Sequence, residues 1–414
     1  MTPGQEDLSL AMPAMPPRGL EAWADGADAR HAPNRAAQLG LLALLAVGSQ
    51  DQREAHRQDA ADLGVPRLGD EGSLQGLPEP VVSTIALDLA SDHVAGHDWV
   101  PGERPMDPDA TAGLRAALDA APTTAAVCAY AYVNLDNPHD VERAMAGAAV
   151  AAIVVPPAFR TFVPLESAAP RAFSALAGCL DSPDPLAAEI AATALGGAEA
   201  PGLRAAPAGV VGSPISIAVH GTWSRLVKDR WYAPESGLHR LIRTESSVAE
   251  LYTGEDYFRW SGAYREDDRE RAAAELLEWQ RARGRVRVAF SHSHGGNVVL
   301  GAIDRGLEVS LLVLMHTPVL PRRPESWQRV RERVGRTLVM RSRGDPVVIA
   351  DGLRTGSTPR PDASVLPHRE LVAHWADVAA WFDHGLFVRE QTWRDYRVAR
   401  EVDYELGGLP VPHS

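Results

Sequence analysis

At 414 residues the chain exceeds the usual size of a single hydrophobic core, so two domains are expected. It is 45% hydrophobic and 23% charged, the composition of an ordinary globular protein, and its net charge of -13 argues against nucleic acid as a partner. Nearly all the positive charge is arginine, with Lys228 the only lysine, and no basic run overrides the acidic balance.

The first half, residues 1–205, is rich in alanine and proline. No stretch reaches the roughly 18–20 apolar residues that cross a bilayer. Residues 36–48 (AAQLGLLALLAVG), preceded by Arg30 and Arg35, loosely mimic a secretion signal in their order of basic and apolar residues. They begin too late and follow an acidic start, so a buried helix is the expected form and the cytoplasm the expected location. His93, His97 and Asp98 lie close together without a third ligand at metal-binding spacing. The spacing predicts helices over 111–121 and 185–195. Two apolar runs, 126–134 (AVCAYAYVN) and 149–155 (AVAAIVV), read as strands flanking a helix over 138–146. Cys128 and Cys179, the two cysteines, read as small buried hydrophobes. Residues 196–212 form a Gly- and Pro-rich linker, and the domains are placed at 1–205 and 206–414.

From Pro214 the pattern becomes regular. Strand-like runs over 215–219, 286–290, 309–315 and 337–340 alternate with helix-like segments over 269–283, 296–305 and 327–334. The strands are apolar throughout rather than at every second residue. This predicts an α/β fold with a doubly wound, mostly parallel sheet, preceded by a separate Ala-rich N-terminal domain, mixed α/β or helical. Such sheets place ligands at the carboxyl ends of their strands, so the residues after each run carry the interest.

After 286–290 comes Ser291-His292-Ser293-His294-Gly295-Gly296, leading directly into a helix. A turn this tight strains its central residue and needs small neighbours, which makes Ser293 the candidate nucleophile. Ser291 stands where glycine is usual, and is the poorer nucleophile because Ser293 rather than glycine lies two places on. After 215–219 comes His220-Gly221-Thr222-Trp223. An oxyanion needs two backbone N–H donors, for which Thr222 and His294 are the candidates. After 337–340 comes Gly344-Asp345-Pro346, where Asp345 can orient a histidine. His384, in a loop before a helix containing Trp393, is the preferred base over His368 and His374; His374 falls in 371–382 (LVAHWADVAAWF), which reads as a helix. A rival metal reading pairs His292 with His294, but no third ligand is suitably spaced, and no metal or cofactor is expected.

The nucleophile, acid and base thus follow in the order Ser293, Asp345, His384. Through AVHGTW, FSHSHGGN, RGDPVV and FDHGLF, residues from about 212 onward resemble the α/β-hydrolase superfamily, and more closely its lipase and esterase members. The resemblance implies a Ser-His-Asp hydrolase, with the missing strands before 215 suggesting a shortened sheet. The expected substrate is a small or lipid-like ester. His220, Gly221, Trp223 and Trp260 are the substrate-binding candidates, and the aromatics between Trp223 and Trp260 suit a lid or an apolar pocket wall. The same triad would serve thioester, amide or acyl-transfer chemistry, and a catalytically silent scaffold is the alternative of a different class.

Overall fold

A computed structural model describes residues 32–65, 114, 118, 124–154, 168–196, 214–222, 230–373 and 378–407. Strands that are apolar along their whole length have to be covered on both faces, and the second half is built that way. Strands β1 (Ile215–Val219), β2 (Val286–His292), β3 (Val309–Met315), β4 (Val334–Ser342) and β5 (Arg369–Ala373) form one sheet in that spatial order, every pair parallel. The two-residue period divides each strand between two cores. Val219, Ala289, Leu312, Leu314 and Val339 pack to one side, with Leu276, Val299 and Val330. Ala218, Phe290, Val313, Leu338 and Met340 pack to the other, with Trp231, Leu241 and Trp393.

Helices α1 (Ala32–Val47), α2 (Gln50–Asp62), α3 (Thr124–Val133), α4 (Asp140–Val154), α5 (Ala168–Cys179) and α6 (Pro185–Leu195) make up the described first half. The later helices are α7 (Gly237–Glu245), α8 (Glu266–Arg281), α9 (Gly295–Asp304), α10 (Pro324–Arg333), α11 (Pro346–Thr355), α12 (Glu390–Asp395) and α13 (Val398–Glu405). Residues 36–48, with their signal-like order, fall mainly in α1, where Leu41, Leu42 and Leu44 are fully buried. The linker segment beyond residue 196, together with His93, His97 and Asp98, lies outside the described residues.

Two expectations are corrected. The runs at 126–134 and 149–155 do not form the expected strands: residues 126–133 lie in α3, Asn134 opens a 3-10 turn, and 149–154 end α4, with Val155 outside the described residues. Helix α4 is buried at every residue from 141 to 150; its first turns include most of the expected helix over 138–146, and its last residues, 148–154 (AAVAAIV), are apolar with no polar stripe to mark them as helical. Likewise 371–382 is not one helix. Its first three residues complete β5, and Val378–Phe382 form a 3-10 turn.

The first half also shares a core with the second. Leu41, Met145, Leu176 and Ile190 cluster with Val347, Ile349 and Ala350 of α11 and with Phe382. The expected separate domain therefore meets the sheet layer through a common hydrophobic interior. Buried ion pairs reinforce this seam. Arg341 at the end of β4 donates from Nη1 to both oxygens of Asp59 on α2, at 3.0 and 2.8 Å, and from Nε to Glu370 at 2.8 Å.

Candidate active site

The parallel register brings the carboxyl ends of the strands to one edge, with Val219 opposite Ser291, and His292 opposite Met315, itself opposite Met340. Ser293 follows β2 with φ of 51°, in the left-handed region that non-glycine residues avoid. Its N–H donates to the Met315 carbonyl at 2.9 Å, and its own carbonyl accepts from Gly296 N–H at 2.9 Å as α9 begins. These two bonds hold the strain in place. Ser291, fully buried, instead donates its hydroxyl to the Val313 carbonyl at 2.9 Å and ties β2 to β3.

Two glycines let the β1 loop lie against this turn. A Cβ on Gly221 would stand 2.6 Å from Ser293 Cβ, and one on Gly295 would stand 2.4 Å from the His220 carbonyl oxygen. Thr222 is buried next in the chain, and Trp223 lies outside the described residues. His294 begins α9, where backbone N–H groups lack intrahelical partners. Its side chain is committed elsewhere: Nε2 bonds Asp351 Oδ1 at 3.0 Å and Nδ1 meets the Asn297 amide at 3.2 Å. Burial lowers the pKa of His294 despite that carboxylate.

Trp260 secures the loop rather than lining an open surface. It is 1% exposed, stacks on His220 with ring centroids 5.7 Å apart, and donates Nε1–H to the His220 carbonyl at 2.7 Å. His220 in turn sets Nδ1 2.8 Å from the Gly221 carbonyl. Trp231, Tyr232 and Phe258 are buried too, so these aromatics pack into the cores.

Asp345 caps α11. Its Oδ1 accepts from the N–H groups of Val347 and Val348, at 3.0 and 3.2 Å, which fixes the carboxylate. Its Oδ2 accepts from two histidines, His384 Nδ1 at 2.7 Å and His316 Nδ1 at 2.8 Å. Burial opposes its ionisation, yet the two imidazoles prevail and hold the carboxyl well below the usual range. For His384, burial likewise opposes the charged form, but Asp345 and then Glu189 push its pKa up to about 9. His292, adjacent to Ser293 in the chain, donates Nε2–H to the His384 carbonyl at 2.9 Å, and their rings lie 4.8 Å apart. Asp345 and His384 are thus brought together as expected, and Ser293 sits beside the histidine that anchors the His384 loop. The His384 Nε2 atom is buried without a hydrogen-bond partner, so no bond joins it to Ser293 Oγ among the described residues. The rival base His374 lies outside the described residues, and His368 is bound to the Leu366 carbonyl at 2.9 Å.

His316, Asp345 and His384 place one ligand atom each within 4.8 Å, the spacing of a cation site. Here both imidazoles spend their Nδ1 on the carboxylate. His292 and His294, the rival metal pair, bond different partners, the His384 carbonyl and Asp351.

Three residues escaped the sequence reading. His316 directly follows β3, is 1% exposed, and shares with Ser293 a positive φ, 48°. The rule that strand ends carry the site would have found it. Asp351, fully buried, accepts from His294 and from the Tyr264 hydroxyl, and Glu189 of α6 places Oε1 3.7 Å from His384 Nε2. Nothing local in the sequence marks either. Comparison with family models, with curated proteins and with solved structures returned no match.

Proposed function

We propose that the chain is a serine hydrolase of the α/β-hydrolase type that cleaves carboxylic esters. The observation that carries this reading is the strained Ser293 at a strand-to-helix turn, on the same sheet edge as a buried His384–Asp345 pair. His384 Nε2 takes the Ser293 proton as Oγ attacks the ester carbonyl, and Asp345 holds the proton on Nδ1 and stabilises the imidazolium. The backbone N–H groups of His294 and Thr222 receive the developing oxyanion. The imidazolium then returns its proton to the leaving alcohol, and water hydrolyses the acyl-enzyme by the same steps reversed. The strained φ is what a nucleophile elbow requires, and the unpartnered Nε2 leaves a base with its acceptor position open. Catalytic hydrogen bonds are often long in unliganded sites and tighten with substrate, which fits the absent Ser293–His384 bond. No helix among the described residues is long and apolar enough to cross a membrane.

The test is labelling by a fluorophosphonate together with turnover of p-nitrophenyl esters. Ser293→Ala is expected to abolish labelling and to lower kcat by about 10³-fold or more. Ser291→Ala should keep both. Labelling that survives Ser293→Ala, or no turnover of any ester, overturns the assignment and leaves the scaffold reading.

A further inference from the structure

Helix α6 is held firmly over the acid-bearing helix α11. Asp184 caps its first turn, accepting from Leu186 N–H at 2.9 Å, and Pro185 opens it. Arg354, in the last turn of α11, closes its other end by donating to the Ala194 carbonyl at 2.9 Å. Ala187, Ile190 and Ala191 are fully buried in the core shared with α11, which turns Glu189 toward the site.

The Glu189 carboxylate lies 3.7 Å from His384 Nε2, which is buried without a hydrogen bond. No hydrogen-bond donor serves that carboxylate among the described residues, although its side chain is only 28% exposed. The one cationic group that acts on it among the described residues is His384 itself. Two further acids, Asp345 and Asp383, add to the negative field. Burial raises the pKa of Glu189, a cost that a cationic partner would relieve. When His384 is neutral and ready to take the serine proton, the carboxylate loses the positive charge it faces. In the hydrolase reading the reacting ester also comes to Nε2, where the serine proton is taken.

We propose that Glu189 is the specificity-determining carboxylate of the site, selecting esters whose acyl or alcohol portion carries a cationic nitrogen near the scissile carbonyl. This rests on the hydrolase reading above and extends it to a substrate class. It also gives the first half of the chain a direct part in substrate choice. An ammonium placed against Glu189 pairs with a partly desolvated carboxylate, whereas an anionic ester meets the fields of Glu189 and Asp345 together.

The experiment uses the full chain and isosteric ester pairs. A trimethylammonium ester is compared with its neutral tert-butyl counterpart, with the group placed once on the acyl side and once on the alcohol side, and with a glutarate hemiester as the anionic probe. The readout is the ratio of kcat/KM within each protein, which is independent of the amount of active enzyme. The wild type is expected to favour the cationic member on at least one side by about tenfold. Glu189→Gln should bring that ratio near unity, and Glu189→Lys should turn the preference toward the glutarate hemiester. A wild-type ratio near unity, or a preference that survives Glu189→Gln, overturns the proposal while a fluorophosphonate still labels Ser293. No ester turnover and no labelling overturn this proposal and the hydrolase reading together.

Discussion

Gly221 offers a sharp test of the site because its substitution acts on Ser293 through contact alone. Its φ is not in the left-handed region, so the backbone accepts alanine there without strain. The new methyl group would stand 2.6 Å from Ser293 Cβ, 2.9 Å from the His292 carbonyl oxygen and 3.2 Å from Ser293 Oγ. Carbon atoms rest about 3.5–4.0 Å apart, so the β1 loop and the turn have to separate by about 1 Å. Neither side yields freely. The turn is pinned by the Ser293 and Gly296 hydrogen bonds, and the loop by Trp260. A displacement of this size at a nucleophile costs about 10²-fold in rate, and overpacking costs about 1–3 kcal/mol of stability. Gly221→Ala is therefore expected to lower kcat/KM on p-nitrophenyl butyrate by about 10²-fold, and to slow fluorophosphonate labelling in parallel. Urea unfolding measures the stability loss. Gly385→Ala is the control: it too lies beside a triad residue, but its added Cβ would meet nothing closer than 3.4 Å. Full activity in Gly221→Ala, or an equal loss in the control, would refute the proposed packing of the loop on Ser293.

Two further outcomes follow from the electrostatics. His384 has to be neutral to accept a proton, and with its pKa pushed up to about 9 the free enzyme is protonated there at neutral pH, so kcat/KM should rise with pH through about 9. A rising limb at or below the ordinary histidine value of about 6.5 would count against Asp345 and Glu189 as its partners. Asp59→Ala removes one of two acids from the buried Arg341 and should cost about 3 kcal/mol in urea unfolding, most of it regained by adding Arg341→Met. A loss under about 1 kcal/mol would show that Glu370 alone satisfies the guanidinium.

Legibility in the sequence followed burial. Strands β2 and β3 were evident because they are central and covered on both faces, which leaves VRVAF and SLLVLM almost wholly apolar. Strand β5 was missed because it is an edge strand with a polar face. Four of its five residues are partly exposed, and Arg369 reaches out to Glu401 at 2.7 Å. The C-terminal end of helix α4 was misread for the opposite reason: most of the helix expected over 138–146 falls in it, but the apolar run that follows carries no polar stripe to mark it as helical. At the candidate site, Ser293, Asp345 and His384 drew attention because each follows a strand or sits in a marked loop. Their mutual distances were not readable, and neither were His316 and Glu189, whose roles arise from contacts across 29 and 195 positions of the chain.

Helix α11 is the element on which these observations converge. Its N-cap is Asp345, its middle carries Asp351 against His294, and its last turn carries Arg354 against α6. Between them, Val347, Ile349 and Ala350 enter the core of the first-half helices. A shift of α11 would therefore move Asp345, His294 and the helix bearing Glu189 together. The same contacts let so short a helix hold a fully buried carboxylate: burial opposes the charge of Asp351, yet His294 holds its pKa down to about 2, and the hydroxyls of Tyr264 and Thr355 also donate to it. The first half of the chain thus bears on the site at two levels. Its core residues set where α11 lies, and hence where Asp345 meets His384. Its Glu189 then supplies a charge that the sheet layer does not place at His384 Nε2.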